Sequence, residues 1–319
     1  MSKNVDFSFS PPPAMQYGEN GERRHVRIKM DGCSDSSSEA QVAQLITVIT
    51  VVFNGANTLE RAILSVANQT CSNIEFIIID GGSTDGTLDI IRKYAHFISY
   101  WVSEPDEGIY DAWNKGVRHA RGEWICFLGS DDYFWEPTAL EKIICAVNSA
   151  KVHAKLVYGR LAVVNARNEL LYTIGESWDI AKKRLGDVMS VPHPGMLHHQ
   201  SWFKEYGLFD ATYRIAGDYE MLLRGWPKED AIFASDVIVV GMMLGGISST
   251  PQNAIKQLKE VWRAQRAHGK HFPGKRLMMA MVRIYLRLML QTLLTERVTF
   301  YLLDIGRKLL GKPGHWTKI

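Results

Sequence analysis

Nine residues decide most of what this chain can become. Residues 45–53 (LITVITVVF) hold seven β-branched side chains and no charge, and the run is cut off by Asn54-Gly55. That composition makes a strand buried on both faces rather than a helix. An amphipathic stretch over 58–68 follows, with Leu59, Ala62, Ile63, Val66 and Ala67 on one face and Thr58 placed to cap it. A second apolar run, 74–79, closes on Asp80-Gly81-Gly82-Ser83-Thr84-Asp85-Gly86 and gives way to a helix over 87–95. Strand, helix, strand, helix at this spacing predicts a parallel, doubly wound α/β sheet. Ligands of such sheets sit beyond the carboxyl ends of the strands, where Asn54 and Asp80 fall.

The pattern continues with a short strand over 100–103 and a helix over 107–120 that turns Ile109, Trp113, Gly116, Val117 and Ala120 inward. Tyr110, Asp111, Asn114 and Lys115 are left elsewhere on it, with Asp111 and Lys115 spaced as a surface i, i+4 pair. A strand over 123–128 then breaks into Gly129-Ser130-Asp131-Asp132, followed by a helix over 137–150. Adjacent carboxylates at the end of a central strand repel unless a cation sits between them. A turn with a helix cap would use the same residues, just as the 81–86 loop suits either a phosphate or a plain turn.

Composition narrows the class. With 46% apolar and 22% charged residues the chain is that of a folded protein, neither disordered, collagenous nor polytopic. Cys33, Cys71, Cys126 and Cys145 form no CxxC pair, so neither a zinc knuckle nor a disulfide framework is expected, and a reducing compartment is. Residues 1–44, with Pro11-Pro12-Pro13 and a serine run over 36–38, are expected to be a flexible tail, and no secretory leader is expected at 1–10.

The blocks 47–54, 79–87, 103–116, Arg121-Gly122 and 128–132, in this order and spacing, resemble the family-2 glycosyltransferases of GT-A fold, most closely bacterial enzymes that build surface polysaccharides. The resemblance runs from residue 45 to about 225. It implies an α/β fold with a central, mostly parallel sheet flanked by helices. It also implies donor contacts from Val51, Phe53, Asp80, Gly108, Asn114, Asp131 and Asp132, with Asp80 accepting a hydrogen bond from the nucleobase. Asp132, with Asp131, would hold Mn²⁺ or Mg²⁺ against the diphosphate of a nucleotide sugar, a UDP-sugar being favoured. Gly129 departs from the common Asp-x-Asp-Asp form of that motif.

His193, His198 and His199 lie within seven residues, but with flanking prolines and no HxxxH spacing they make a weak metal cluster. The resemblance instead puts His193 near the sugar or acceptor, and puts the catalytic base of an inverting transfer on the helix that starts at Gly217-Asp218-Tyr219-Glu220. Asp218 is the expected base, Glu220 the alternative, and Gly217 stands where relatives often carry glutamate. Helix capping by Asp218 is the plainer account. Arg224 is expected to pair locally.

Charge then divides the chain. Residues 255–319 hold 14 Lys/Arg against 3 Asp/Glu, so the remainder carries a net −8 although the whole is only +3. This divides the chain into a tail (1–44), a catalytic domain (45–250, with a nucleotide half to 135 and an acceptor half from 136) and a basic helical C-terminal extension (251–319). A polar helix over 253–267 precedes an apolar one over 277–294 that Arg283 and Arg287 interrupt, which suits an interfacial helix better than a membrane span. Membrane contact over 275–310 is expected, with packing on the catalytic domain or a dimer interface as the competing account. The expected partners are a nucleotide-sugar donor and a glycan or polyprenyl-diphosphate-linked acceptor, with no nucleic acid, at the cytoplasmic face of the cell membrane. The alternatives are a nucleotidyltransferase of similar fold, whose glycine-rich basic loop residues 54–58 lack, and a non-catalytic sugar-nucleotide or lipid-binding relative.

Overall fold

A computed structural model describes residues 44–150, 153–244 and 251–309. The tail assigned to 1–44 therefore lies outside the described residues except for Gln44, as do 310–319 of the extension. Strands β1 (Ile46–Val52), β2 (Ile74–Asp80), β3 (Tyr100–Ser103) and β4 (Trp124–Gly129) alternate with helices α1 (Leu59–Ala67), α2 (Thr87–Lys93) and α3 (Ile109–His119). Then come β5 (Tyr133–Phe134), α4 (Ala139–Ser149), β6 (Leu156–Val164), β7 (Leu170–Ile174), α5 (Trp178–Leu185), β8 (Leu197–His199), α6 (Gln200–Tyr206), α7 (Gly217–Gly225) and β9 (Ala231–Met243). Three helices close the described chain: α8 (Pro251–Ala267), α9 (Lys275–Leu293) and α10 (Glu296–Leu309).

One sheet runs through the molecule in the order β3-β2-β1-β4-β8-β6-β9-β5, with β7 on β6. The first four strands are parallel, as their sequence predicts. Beyond β4 the pairing is mixed: β8 runs antiparallel to both β4 and β6, while β6 and β9 are parallel. Alternation along β1 divides its apolar residues between two cores, Ile49 and Val51 on one face and Ile46, Val48 and Val52 on the other.

The buried polar groups of this sheet explain one block of the sequence. Glu75 lies in β2 at 5% exposure and accepts hydrogen bonds from the Thr47 hydroxyl (2.7 Å) and from the Arg121 backbone N–H and Nε (2.8 and 2.7 Å). Gly122 donates its N–H to Thr47 Oγ1 at 2.9 Å, and a Cβ there would stand 2.6 Å from the Thr47 nitrogen. Arg121-Gly122 thus satisfies a buried carboxylate at the entry to β4.

Three expectations change in detail. Thr58 precedes α1 but makes no side-chain cap. α3 buries Tyr110 and Asn114 along with Trp113 and Gly116, because the segment between α6 and α7 covers a second side of the helix. α8, placed in a separate extension by composition, packs on α7: Ala264 joins its core and Gln265 donates to the Tyr219 hydroxyl at 3.0 Å. Glu260, 8% exposed, accepts from the backbone N–H groups of Arg214 (3.0 Å), Ile215 (2.8 Å) and Ala216 (2.9 Å), the turn that opens α7. Charged acceptors on helix-start amides are worth the most where water is excluded. Glu260→Ala is expected to lower stability by about 2–4 kcal/mol, read as a lowered urea midpoint.

No helix among the described residues is long and apolar enough to cross a membrane.

Candidate active site

The loops at the carboxyl ends of β1 and β2 are laced together. Asn54, at φ 52°, donates its N–H to Ser83 Oγ (2.7 Å) and accepts from the Thr84 N–H (2.9 Å). Gly55 donates to Thr87 Oγ1 and Ala56 to Asp85 Oδ2. Asp80 is the centre of this lacing: its carboxylate accepts from the N–H groups of Gly82 (3.1 Å) and Ser83 (3.0 Å) and from the hydroxyls of Ser83 and Ser103 (both 2.5 Å). Asp80, expected at the nucleobase, is 0% exposed, and its carboxylate is engaged with these loop groups.

The carboxylate that does face this spot comes from elsewhere. Asp106 Oδ2 lies 2.5 Å from where a Cβ on Gly81 would stand, a point 3.5 Å from the ring of Phe53. Its other oxygen accepts from the Gly108 N–H at 2.8 Å, so Gly108 orients Asp106. Phe53 is 65% exposed at the end of β1, and Val51 is buried between Ile79 and Gly129 in the sheet register. Asn114, expected at the donor, is 5% exposed and exchanges two hydrogen bonds with the Phe209 backbone (2.8 and 2.9 Å). Asp106 was legible in the quoted block, yet nothing local to it marks it above its acidic neighbours.

At the end of β4 both acids converge over Gly129, whose Cβ would stand 2.7 Å from Asp132 Oδ2 and 2.9 Å from Asp131 Oδ1. Glycine here makes room for its neighbours' carboxylates. Burial, reinforced by the Asp131 charge, pushes Asp132 up to about 8. Its Oδ1 is buried with no hydrogen-bond partner, which is the environment a cation would relieve. Arg61 braces the loop, donating to the Asp131 carbonyl (2.6 Å) and Asn168 Oδ1 (2.8 Å) with its guanidinium 4.5 Å from the Tyr133 ring centroid. Among the described residues no cluster of three or more His, Cys, Asp or Glu side chains forms a metal cage. A cation between two carboxylates is then left with positions for phosphate oxygens.

Asp218 opens α7. Its Oδ1 accepts from the Tyr219 N–H (2.8 Å) and the Tyr110 hydroxyl (3.3 Å), and the Tyr110 ring lies on Gly217 with no room for a side chain between them. Burial raises Asp218 to about 6, the two hydrogen bonds holding it below what burial alone would give. Tyr110 meets Trp113 edge-on at 5.4 Å, and Trp113 meets Phe127 of β4 at 4.8 Å, so an aromatic layer joins α7 to the strand that carries the acidic pair.

Glu220 points elsewhere. It pairs with Arg224 and with His268 Nε2 at 3.1 Å; burial alone would raise it, but these two partners hold it below its ordinary value. Arg224 is spent there and on the Tyr206 and Leu208 carbonyls, as expected of a local pair. His193 is 3% exposed, stacked on Trp113 at 5.2 Å and beside His198 at 5.1 Å. Burial, with His198 adjacent, drives it well below the usual histidine range, so both rings are neutral parts of the aromatic layer.

The sequence profile described as glycosyl transferase family 2 matches residues 47–204. The chain is 29% identical over 213 residues to a PGL/p-HBAD biosynthesis glycosyltransferase of Mycobacterium bovis, covering 65% of this chain and 80% of that protein. An uncharacterized glycosyltransferase of Mycobacterium tuberculosis is 33% identical over 188 residues, 57% of this chain and 69% of its own length. Among solved structures, S. aureus TarS 1–349 in complex with UDP-GlcNAc superposes with a TM-score of 0.57 at 17% identity, covering 76% of this chain and 71% of that one. The mannosyltransferase PcManGT from Pyrobaculum calidifontis, in complex with GDP-Man and Mn²⁺, gives 0.53 at 18% identity, with 80% and 74% covered. The chain spans 65% of TarS 1–349 in a further crystal structure and 43% of the longer TarS chain.

Proposed function

The chain belongs to glycosyl transferase family 2 and is a glycosyltransferase, and on that premise we propose that it transfers a sugar, with inversion, from a nucleotide-diphosphate donor to a glycan or polyprenyl-diphosphate-linked acceptor of a bacterial surface polysaccharide. The observation that carries the reading is the separation of labour between two acidic centres, the pair over Gly129 and the lone Asp218 on α7. A UDP-sugar is favoured, UDP-GlcNAc being the donor bound by one structural neighbour.

Phe53 offers an aromatic face to the base, and the free oxygen of Asp106 accepts from a base or ribose donor in place of the buried Asp80. Asp131 and Asp132 would hold Mn²⁺ or Mg²⁺, which supplies positive charge beside the donor diphosphate. Asp218 takes the proton of the acceptor hydroxyl as that oxygen bonds to the anomeric carbon. The bond to the donor oxygen breaks with its electron pair, and a nucleoside diphosphate leaves. The Tyr110 hydroxyl fixes the angle of Asp218. Working at the cytoplasmic face of the membrane, residues 45–250 with α8 form the catalytic unit, and α9 and α10 its contact with lipid.

Because the base must be ionised, transfer is expected to fall as pH drops through about 6 and to level off above it, read from kcat with donor and acceptor saturating. The direct test is calorimetry of the purified chain against UDP- and GDP-sugars with and without Mn²⁺. One sugar nucleotide is expected to bind in a metal-dependent way, and Asp132→Ala to lose that binding. A folded sample silent to every donor would overturn the reading.

A further inference from the structure

Arg214 is an exposed cation at the mouth of the site. Its Nη1 lies 2.5 Å from where a Cβ on Gly108 would stand, which places it over the loop that presents Asp106 and four residues before Asp218. Its guanidinium has no acidic partner among the described residues. The backbone beneath it does not drift, since Glu260 of α8 holds the Arg214 N–H with both oxygens (3.0 and 3.1 Å).

The same segment continues into a second cationic feature. Arg263 of α8 lies 4.1 Å over the Tyr213 ring and donates to Thr212 Oγ1 at 2.5 Å, so its planar fork is fixed rather than waving in solvent. Together with Lys259, Trp262, Arg266 and Ala267 it lines an open depression of about 510 Å³. Lys259 and Arg266 are exposed and have no acidic partner among the described residues. Arg263 is itself paired with Asp210 (3.4 Å), so Lys259 and Arg266 are the cations of this concavity left to match phosphate oxygens.

The helices that follow say what kind of molecule carries those phosphates. On α9, Met278, Val282, Tyr285, Leu286, Met289 and Leu293 are between 47% and 71% exposed and fall on one helical stripe. Exposed Lys275, Arg276 and Arg283 share that helix. A polyanion alone would satisfy the cations and leave the apolar stripe in water; a phosphate-bearing amphiphile satisfies both.

We propose that Arg214 and the α8 depression form one phosphate-binding track, which seats the phosphate groups of a lipid-linked acceptor while the apolar stripe of α9 enters the headgroup region. The track rests on the acceptor reading given above and adds the residues that would recognise it. It would carry the acceptor's anionic group from the lipid surface past Tyr213 to the mouth beside Asp218.

The test uses the full chain with two probes. Vesicles of phosphatidylcholine, with and without phosphatidylglycerol, report the lipid source. Inorganic pyrophosphate, followed by the fluorescence change that Trp262→Phe removes, reports phosphate alone. Wild type is expected to favour the anionic vesicles, and the Lys259→Glu, Arg266→Glu double variant to bind them about tenfold or more weakly. The same variant is expected to lose the pyrophosphate signal at an unchanged melting temperature, since both side chains are exposed. Equal vesicle binding by variant and wild type, or no response to either probe, overturns the proposal. A pyrophosphate response without vesicle binding overturns its lipid part and assigns the track to a soluble phosphate compound. Donor calorimetry on wild type is run alongside: its failure would remove the transferase reading, whereas the vesicle and pyrophosphate results bear on the track alone.

Discussion

Asp218→Asn is expected to lower kcat by about 10²–10⁴-fold, the range over which a positioned general base acts, with the dissociation constant for the donor unchanged. Asparagine keeps the size of the side chain and can still accept from the Tyr219 N–H and the Tyr110 hydroxyl, so the start of α7 stays as it is. Only the ability to take a proton goes. The alternative base, Glu220, is already paired with Arg224 and His268, so it has no free oxygen to offer an acceptor. Measured kcat in Asp218→Asn within a few-fold of wild type would therefore do more than reassign the base; it would remove base catalysis from α7 altogether. The same variant separates the pH profile from incidental effects, because a residual rate that no longer changes near pH 6 identifies Asp218 as the group that titrates there.

The second large effect is on stability and concerns Asp80. Asp80→Ala is expected to cost about 3–5 kcal/mol in unfolding free energy, because it strands buried N–H groups as well as deleting charge-assisted bonds. Two backbone N–H groups and two hydroxyls lose a common acceptor that is itself fully buried. Urea denaturation measures this directly. A residue whose role was to contact the nucleobase from an open loop would show the reverse pattern, a weakened donor and an unchanged midpoint. Asp106→Ala is the natural comparison, since its free oxygen faces the slot beside Phe53 and carries no comparable lacing.

Those two carboxylates also show where sequence and structure part. Asp80 closes β2 and Asp106 follows β3, both at the strand ends that pattern alone locates, and the four parallel strands came out within a residue of their expected bounds. These are features written into neighbouring residues, as β-branched runs, turn chemistry and helical periodicity. What a loop carboxylate points at depends on partners far along the chain, such as Ser103 for Asp80. The burial of Tyr110 and Asn114 depends on Phe209, nearly a hundred residues away, and no periodicity within α3 records it. β8, three residues long and wedged between β4 and β6, is too short to carry a pattern of its own. The acidic pair was legible as a pair; that both acids lean over Gly129, filling the room its missing side chain leaves, was not.

Glu260 is the only acid in α8, among four basic and four amide residues of the kind that usually face solvent. A lone carboxylate in a basic helix was a signal available in the sequence, and it marks the contact that composition obscured.

The Glu260 clamp bears on how enzymes of this build can be recombined. A boundary drawn at residue 250 by charge would treat everything after it as a detachable address label, to be exchanged between relatives while the chemistry stays behind. The turn that aims Asp218 is held from beyond that boundary. A chimera joined there would exchange the closing helices at the cost of a loosened turn before Asp218, whereas a junction after Ala267 leaves the clamp with the turn it holds.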